Sequence, residues 1–266
     1  VDQAPAPSPQ SGERPASAEA TFAARTPWTA PAATFFALIA MVFASGLAVL
    51  AGTAYFKLGI WWRGGSNIAD EHVTMTNTML ATAVLQIAAL AAVWWGASRF
   101  GGQRWQVLSL AQPLPRRELW LGVAGMVAIL APINLVSYLL WPEDFATDLR
   151  PYADLVRSPA LWLGVLVIVI GAPLWEELLF RGFLLPALTK TRWGFLGAAF
   201  ITTFAWTALH LNYTVASLIE VMLIGFYFCW LMWRFGNLRL PIVLHALYNG
   251  LQLAVLMVWP GVLAGG

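Results

Sequence analysis

Residues 175–182, WEELLFRG, set Glu176, Glu177 and Arg181 into a run, 160–186, that is otherwise almost wholly apolar. A run of that length can cross the hydrocarbon core of a bilayer as one helix. Each ionised side chain at the centre of such a helix costs roughly 2.5–3.5 kcal/mol, so the three together cost on the order of 8–10 kcal/mol before any pairing. A chain that keeps all three needs partners for them inside the membrane. If 160–186 is a span, the fold is a helix bundle with a polar interior.

Composition points the same way. The chain is 59% hydrophobic and 11% charged, with 15 Trp, far from the averages of soluble domains. The expected fold is an all-α, polytopic transmembrane helix bundle of about seven to eight spans with a disordered N-terminal tail. Apolar windows fall at 34–56, 74–98, 118–141, 160–186, 194–211, 215–235 and 239–259. The segment KLGIWWRGG, 57–65, reads as a short interfacial helix, because Trp61 and Trp62 suit headgroup depth. The segment WPEDFATDLRPYADLVRSP, 141–159, reads as an acidic connecting loop.

Residues 1–33 hold Pro at 5, 7, 9, 15, 27 and 31 among Ala and Ser, and are expected to form a disordered cytoplasmic tail. Residues 34–266 form the transmembrane domain. With the N-terminus inside, the inner connections carry most of the Lys and Arg, which places the chain as a multi-pass protein with a cytoplasmic N-terminus. Abundant Ala, and Lys only at 57 and 190, fit a GC-rich genome; the expected setting is a bacterial cytoplasmic membrane. A net charge of +2 without a basic stripe excludes a nucleic-acid surface. The single cysteine, Cys229, excludes an intrachain disulfide and a thiolate metal cluster.

On a helix, Glu177 and Arg181 are four residues apart with the acid first, the favourable order for a pair on one face. Glu176 lies about a hundred degrees round from Glu177, so one guanidinium does not easily serve both. This divides the labour: Glu177 pairs with Arg181, and Glu176 is left to face a cavity. Of the three histidines, His210 and His245 fall in predicted spans, and Asn249 lies one turn beyond His245. Glu176, His210, His245 and Asn249 together can activate water and hold an oxyanion. Alternatively, Glu176, His210 and His245 can bind a divalent metal such as zinc, although no His-Glu-x-x-His motif is present. Each residue also has a plainer reading as interhelical glue or a packed ion pair. Their coincidence favours chemistry.

EELLFR fits the pattern Glu-Glu-x-x-x-Arg, WTALH stands where Phe-x-x-x-His is usual, and HALYN fits His-x-x-x-Asn. In order and spacing these motifs resemble the CPBP intramembrane proteases, the group containing CAAX prenyl endopeptidases and bacteriocin-processing or self-immunity proteins. The resemblance covers 160–259. It implies an intramembrane endopeptidase in which Glu176 activates water with His210, His245 and Asn249 shape the oxyanion site, and Glu177 and Arg181 support the architecture. Trp206, where Phe is usual, is a departure beside the pocket. The implied partners are membrane lipids and a membrane-anchored protein or peptide substrate. The alternative is a non-catalytic subunit or assembly factor of a larger membrane complex; a proton-coupled transporter is disfavoured, since no internal repeat is visible.

The depths of the two histidines conflict. His245 lies roughly 10 Å into its span and His210 roughly 25 Å into its own, counted from the same membrane face. A turn at LNYT, 211–214, set within the bilayer beside a wet cavity, would bring them together.

Overall fold

A computed structural model describes residues 22–62 and 71–258, with side chains throughout except at 71, 72 and 144–146. Helix α1 (Ala30–Trp62) and helix α2 (Glu71–Ala97) form an antiparallel pair with the most extensive helix contact in the molecule. The buried face of α1 is a ladder of Ala33, Ala37, Ala40, Ala44, Ala48 and Gly52, spaced by three or four residues. Small side chains let the two backbones approach closely where lipid supplies no hydrophobic drive. The opposite face, with Phe35, Val42 and Leu50, is exposed and suits lipid.

The chain continues through helix α3 (Arg116–Leu140), helix α4 (Pro142–Val156), helix α5 (Leu161–Leu188), helix α6 (Gly194–Thr207), helix α7 (Val215–Phe235) and helix α8 (Arg239–Val258). Helix α5 is the centre of the core: from Trp175 to Leu188 every side chain is buried. Two stretches of α5, Val165–Gly171 and Leu178–Leu184, are wound as π-helix. They flank the Glu176–Glu177 pair on either side. A π turn displaces the backbone ladder and leaves carbonyls free for side-chain donors. Here the amides of Gln86 and Asn249 supply them, donating to Val167 O at 3.0 Å and Ile168 O at 2.8 Å.

Several expectations are corrected. Among the described residues six helices are long and apolar enough to cross a membrane, against the seven to eight expected. The window at 194–211 is a 14-residue helix, α6, followed by a single 3₁₀ turn, Ala208–His210. Together they extend about 25 Å, short of a hydrocarbon core of about 30 Å. Residues 57–62 continue α1 instead of forming a separate interfacial helix; 63–65 fall outside the described residues. The acidic segment after α3 is helix α4, which turns Ala153 and Leu155 inward and Glu143 and Arg150 outward.

The tail boundary also moves. Residues 1–21 lie outside the described residues, but within 22–33, assigned to the tail on their Pro content, Thr26, Trp28, Ala30 and Ala33 are buried, and helix α1 begins at Ala30. Trp28 is buried, its indole N–H donating to Gly96 O at 2.9 Å, and its ring meets Phe36, Phe100 and Phe183. Proline argued for disorder, but one buried tryptophan outweighed it.

Hydrogen bonds sort the connections into two ends. At one, Lys190 donates to the carbonyls of Thr26 and Trp28, Leu238 N–H to Ser109 O, and Asn237 to Pro113 O. At the other, Asp148 accepts from the backbone N–H and hydroxyl of Thr214, and the hydroxyls of Tyr152 and Tyr213 meet at 2.6 Å. Short as it is, α6 therefore leads from the first end to the second.

Candidate active site

The pair predicted within WEELLFRG forms: Arg181 Nη1 donates to Glu177 Oε1 at 3.0 Å, with both side chains fully buried. Arg181 Nη2 also donates to Gly225 O at 3.3 Å, an approach that a glycine at 225 permits. His245 Nδ1 lies 3.0 Å from the same Glu177 oxygen. A carboxylate oxygen only accepts, so Nδ1 carries the proton and Nε2 presents a lone pair. Glu177 thus joins Arg181 and His245, and α5 to α8.

Glu176 takes a different set of partners. Glu176 is buried but retains 7% exposure, against 0% for Glu177 and Arg181. Trp206 N–H donates to Glu176 Oε2 at 2.5 Å. Trp206 O accepts from His210 Nδ1 at 3.1 Å, which again fixes the tautomer and leaves Nε2 as acceptor. His210 is half-buried, at the end of α6, with its ring edge-on to Trp206 and Tyr213 at 5.3 Å each.

Trp206 is the hub that resolves the depth conflict. Its ring packs edge-on against His210 at 5.3 Å and His245 at 5.6 Å, while the Arg181 guanidinium sits 4.4 Å over its face. The two imidazoles each reach the indole, and so need not share one depth. A phenylalanine would fill the space without offering the N–H.

Asn249 stands apart from this set. One of its N–H groups is given to Ile168 O, freed by the first π turn of α5; the other remains. The residues offered as metal ligands do not make a metal set either. Among the described residues no three His, Cys, Asp or Glu side chains converge closely enough to form a metal set. Glu176, His210 and His245 are not gathered around one point in this arrangement, and no step below passes through a metal ion.

Sequence reading missed the pair Tyr152–Tyr213 and the clasp of Asp148 on Thr214. Burial raises both phenols above their ordinary range, and the Glu176 carboxylate adds to the effect on each, which brings this pair into the electrostatic reach of the site. Nothing in the spacing of α4 could have signalled it, because α4 was read as a loop. A third buried acid, Glu220, is held by Tyr248 and by Asn134 Nδ2, the latter at 3.1 Å.

Residues 158–251 match the family of Rce1-like, type II CAAX prenyl endopeptidases. The chain is also 34% identical over 132 residues to an "Uncharacterized 24.3 kDa protein" of Escherichia coli. That match covers 47% of this chain and spans 59% of the relative's own length. No solved structure matches the chain. The matched segment contains Glu176, Glu177, Arg181, Trp206, His210, His245 and Asn249, so the motif-bearing part of the chain is similar to the Rce1-like, type II CAAX prenyl endopeptidases.

Proposed function

We propose that the protein is an intramembrane endopeptidase that hydrolyses a peptide bond in a membrane-anchored protein or peptide. The observation that carries this reading is the division of the two adjacent acids: Glu177 is bound to both Arg181 and His245, while Glu176, among the described residues, meets only the indole N–H of Trp206, beside His210. An acid needed only to neutralise Arg181 would be Glu177, which leaves Glu176 for chemistry.

In this reading Glu176 takes a proton from water, with His210 Nε2 as the second acceptor orienting it. The hydroxide adds to the peptide carbonyl carbon, and this reading assigns the oxyanion to the second N–H of Asn249 on α8. Collapse breaks the C–N bond, and the proton on Glu176 passes to the leaving amine. Water, amide, acid and amine balance without a further reactant. The membrane setting, with the N-terminus on the cytoplasmic side, rests on the distribution of Lys and Arg.

The test is cleavage of a fluorogenic, membrane-anchored peptide reporter by purified protein in proteoliposomes. Wild type cleaves, and Glu176→Gln and His210→Ala lose turnover by about 10²-fold or more while unfolding at the same temperature. Undiminished turnover in Glu176→Gln ends the proposal.

A further inference from the structure

We infer that Trp206 is a positioning residue for the general base: its indole N–H commits Glu176 Oε2 and so leaves Oε1 as the oxygen that takes the proton. This deepens, and rests on, the hydrolase reading above.

Three observations on different elements meet at this side chain. The indole nitrogen on α6 lies 2.5 Å from Glu176 Oε2 on α5, a charge-assisted contact that fixes the plane of the carboxylate. Among the described residues no hydrogen bond reaches Oε1. The carbonyl of the same residue holds His210 Nδ1 at 3.1 Å, so one residue sets both the carboxylate and the imidazole that face the water. The ring itself is pinned: 2% exposed, with the Arg181 guanidinium 4.4 Å from its centroid. A cation over the indole face withdraws electron density from it and strengthens the N–H as a donor. Arg181 is in turn bonded to Glu177, so Glu177 reaches Glu176 through Arg181 and Trp206.

The orientation matters because proton transfer requires a donor within about 3 Å and in line with a lone pair. A carboxylate free to rotate offers either oxygen, in many poses. Removing the indole donor should therefore cost turnover and spare substrate binding.

Two variants separate the donor from the volume. Trp206→Phe removes the N–H and part of the ring. Replacement of Trp206 by β-(3-benzothienyl)alanine exchanges N–H for sulfur and keeps the shape, so it also covers the case in which Trp206→Phe does not fold. The first readout needs no cleavage: the infrared carboxylate stretch of Glu176, isolated as the difference between each protein and its Glu176→Gln counterpart. We expect the band to shift on loss of the donor in the benzothienyl protein. The second is kcat and KM on the peptide reporter, where kcat falls about 10- to 100-fold with KM unchanged. An unmoved band overturns the inference, because the donor then does not hold the carboxylate. A moved band with unchanged kcat overturns it too, since the contact would be structural only. If wild type cleaves nothing, the hydrolase reading fails and the band alone decides whether Trp206 sets Glu176.

Discussion

Arg181 is a fully buried guanidinium with one ionic partner in Glu177, one carbonyl partner in Gly225 and an aromatic face in Trp206. Among the described residues its Nε, like Glu177 Oε2, has no hydrogen-bond partner, so the pair is not optimised for stability. Burying two charges costs more than their attraction returns unless every lone pair is met. Breaking the pair is a separate matter. Arg181→Met leaves Glu177 buried with only His245, and the expected loss is about 3–5 kcal/mol. The double variant Glu177→Gln/Arg181→Met should recover part of that loss, since it leaves no uncompensated charge. Thermal unfolding in detergent checks both, and a double variant no more stable than Arg181→Met would show that the charge is not what the site compensates. The Glu177–Arg181 contact was legible because spacing along one helix fixes which faces coincide. The contact of His245 with Glu177 instead of Glu176 was not, because it depends on how α8 crosses α5, and no local pattern encodes a crossing.

Helix α7 passes the site at Gly225, where an added Cβ would lie 2.8 Å from Thr203 Cγ2, 3.1 Å from the Trp206 ring and 3.2 Å from Arg181 Nη2. Gly225→Ala therefore forces α7 away from α5 and α6, with an expected cost of about 1–3 kcal/mol and a loss of reporter cleavage out of proportion to it. An undisturbed unfolding midpoint would mean that α7 yields freely. Helix α4 is tied to the turn after His210 by Tyr152 and Asp148. Both phenols of the Tyr152–Tyr213 pair are raised above the ordinary value of 10.0, chiefly by burial. The folded protein then holds protons that the unfolded chain releases. Their contribution is fully present below pH 10.0 and is lost as pH rises from there through the raised values. Tyr152→Phe should flatten the alkaline fall in unfolding temperature, and an identical alkaline limb in that variant would refute the assignment. The π turns of α5 were invisible beforehand: their apolar letters read like any buried helix, and only Gln86 and Asn249, placed opposite, disclose that carbonyls have been freed.

The helical bundle as a whole was legible because apolar length is a direct measure of bilayer thickness, and the windows at 215–235 and 239–259 differ from α7 and α8 by a residue at most. The failures lie where length and packing disagree. Helix α6 is apolar enough to be read as a span but short, and the segment before α1 has the composition of a tail but is anchored. That anchor carries the remaining prediction. Trp28 joins the pair α1–α2, through Phe36 and Gly96, to α5, through Phe183, two residues beyond Arg181. It is one of the points, with Gln86 on α2, at which the half without motif residues grips the half that holds them. Trp28→Ala should cost about 3–5 kcal/mol, the usual loss for a large buried aromatic. Trp28→Phe should cost less, about the 1 kcal/mol of a lost hydrogen bond plus the missing ring volume. If the anchor is part of the folded unit, both variants lower the unfolding midpoint in that order, and Trp28→Ala opens the segment around Lys190 to proteolysis, since Lys190 donates to the carbonyls of Thr26 and Trp28. An unfolding midpoint in Trp28→Ala equal to that of wild type would show that the bundle stands without its N-terminal clasp.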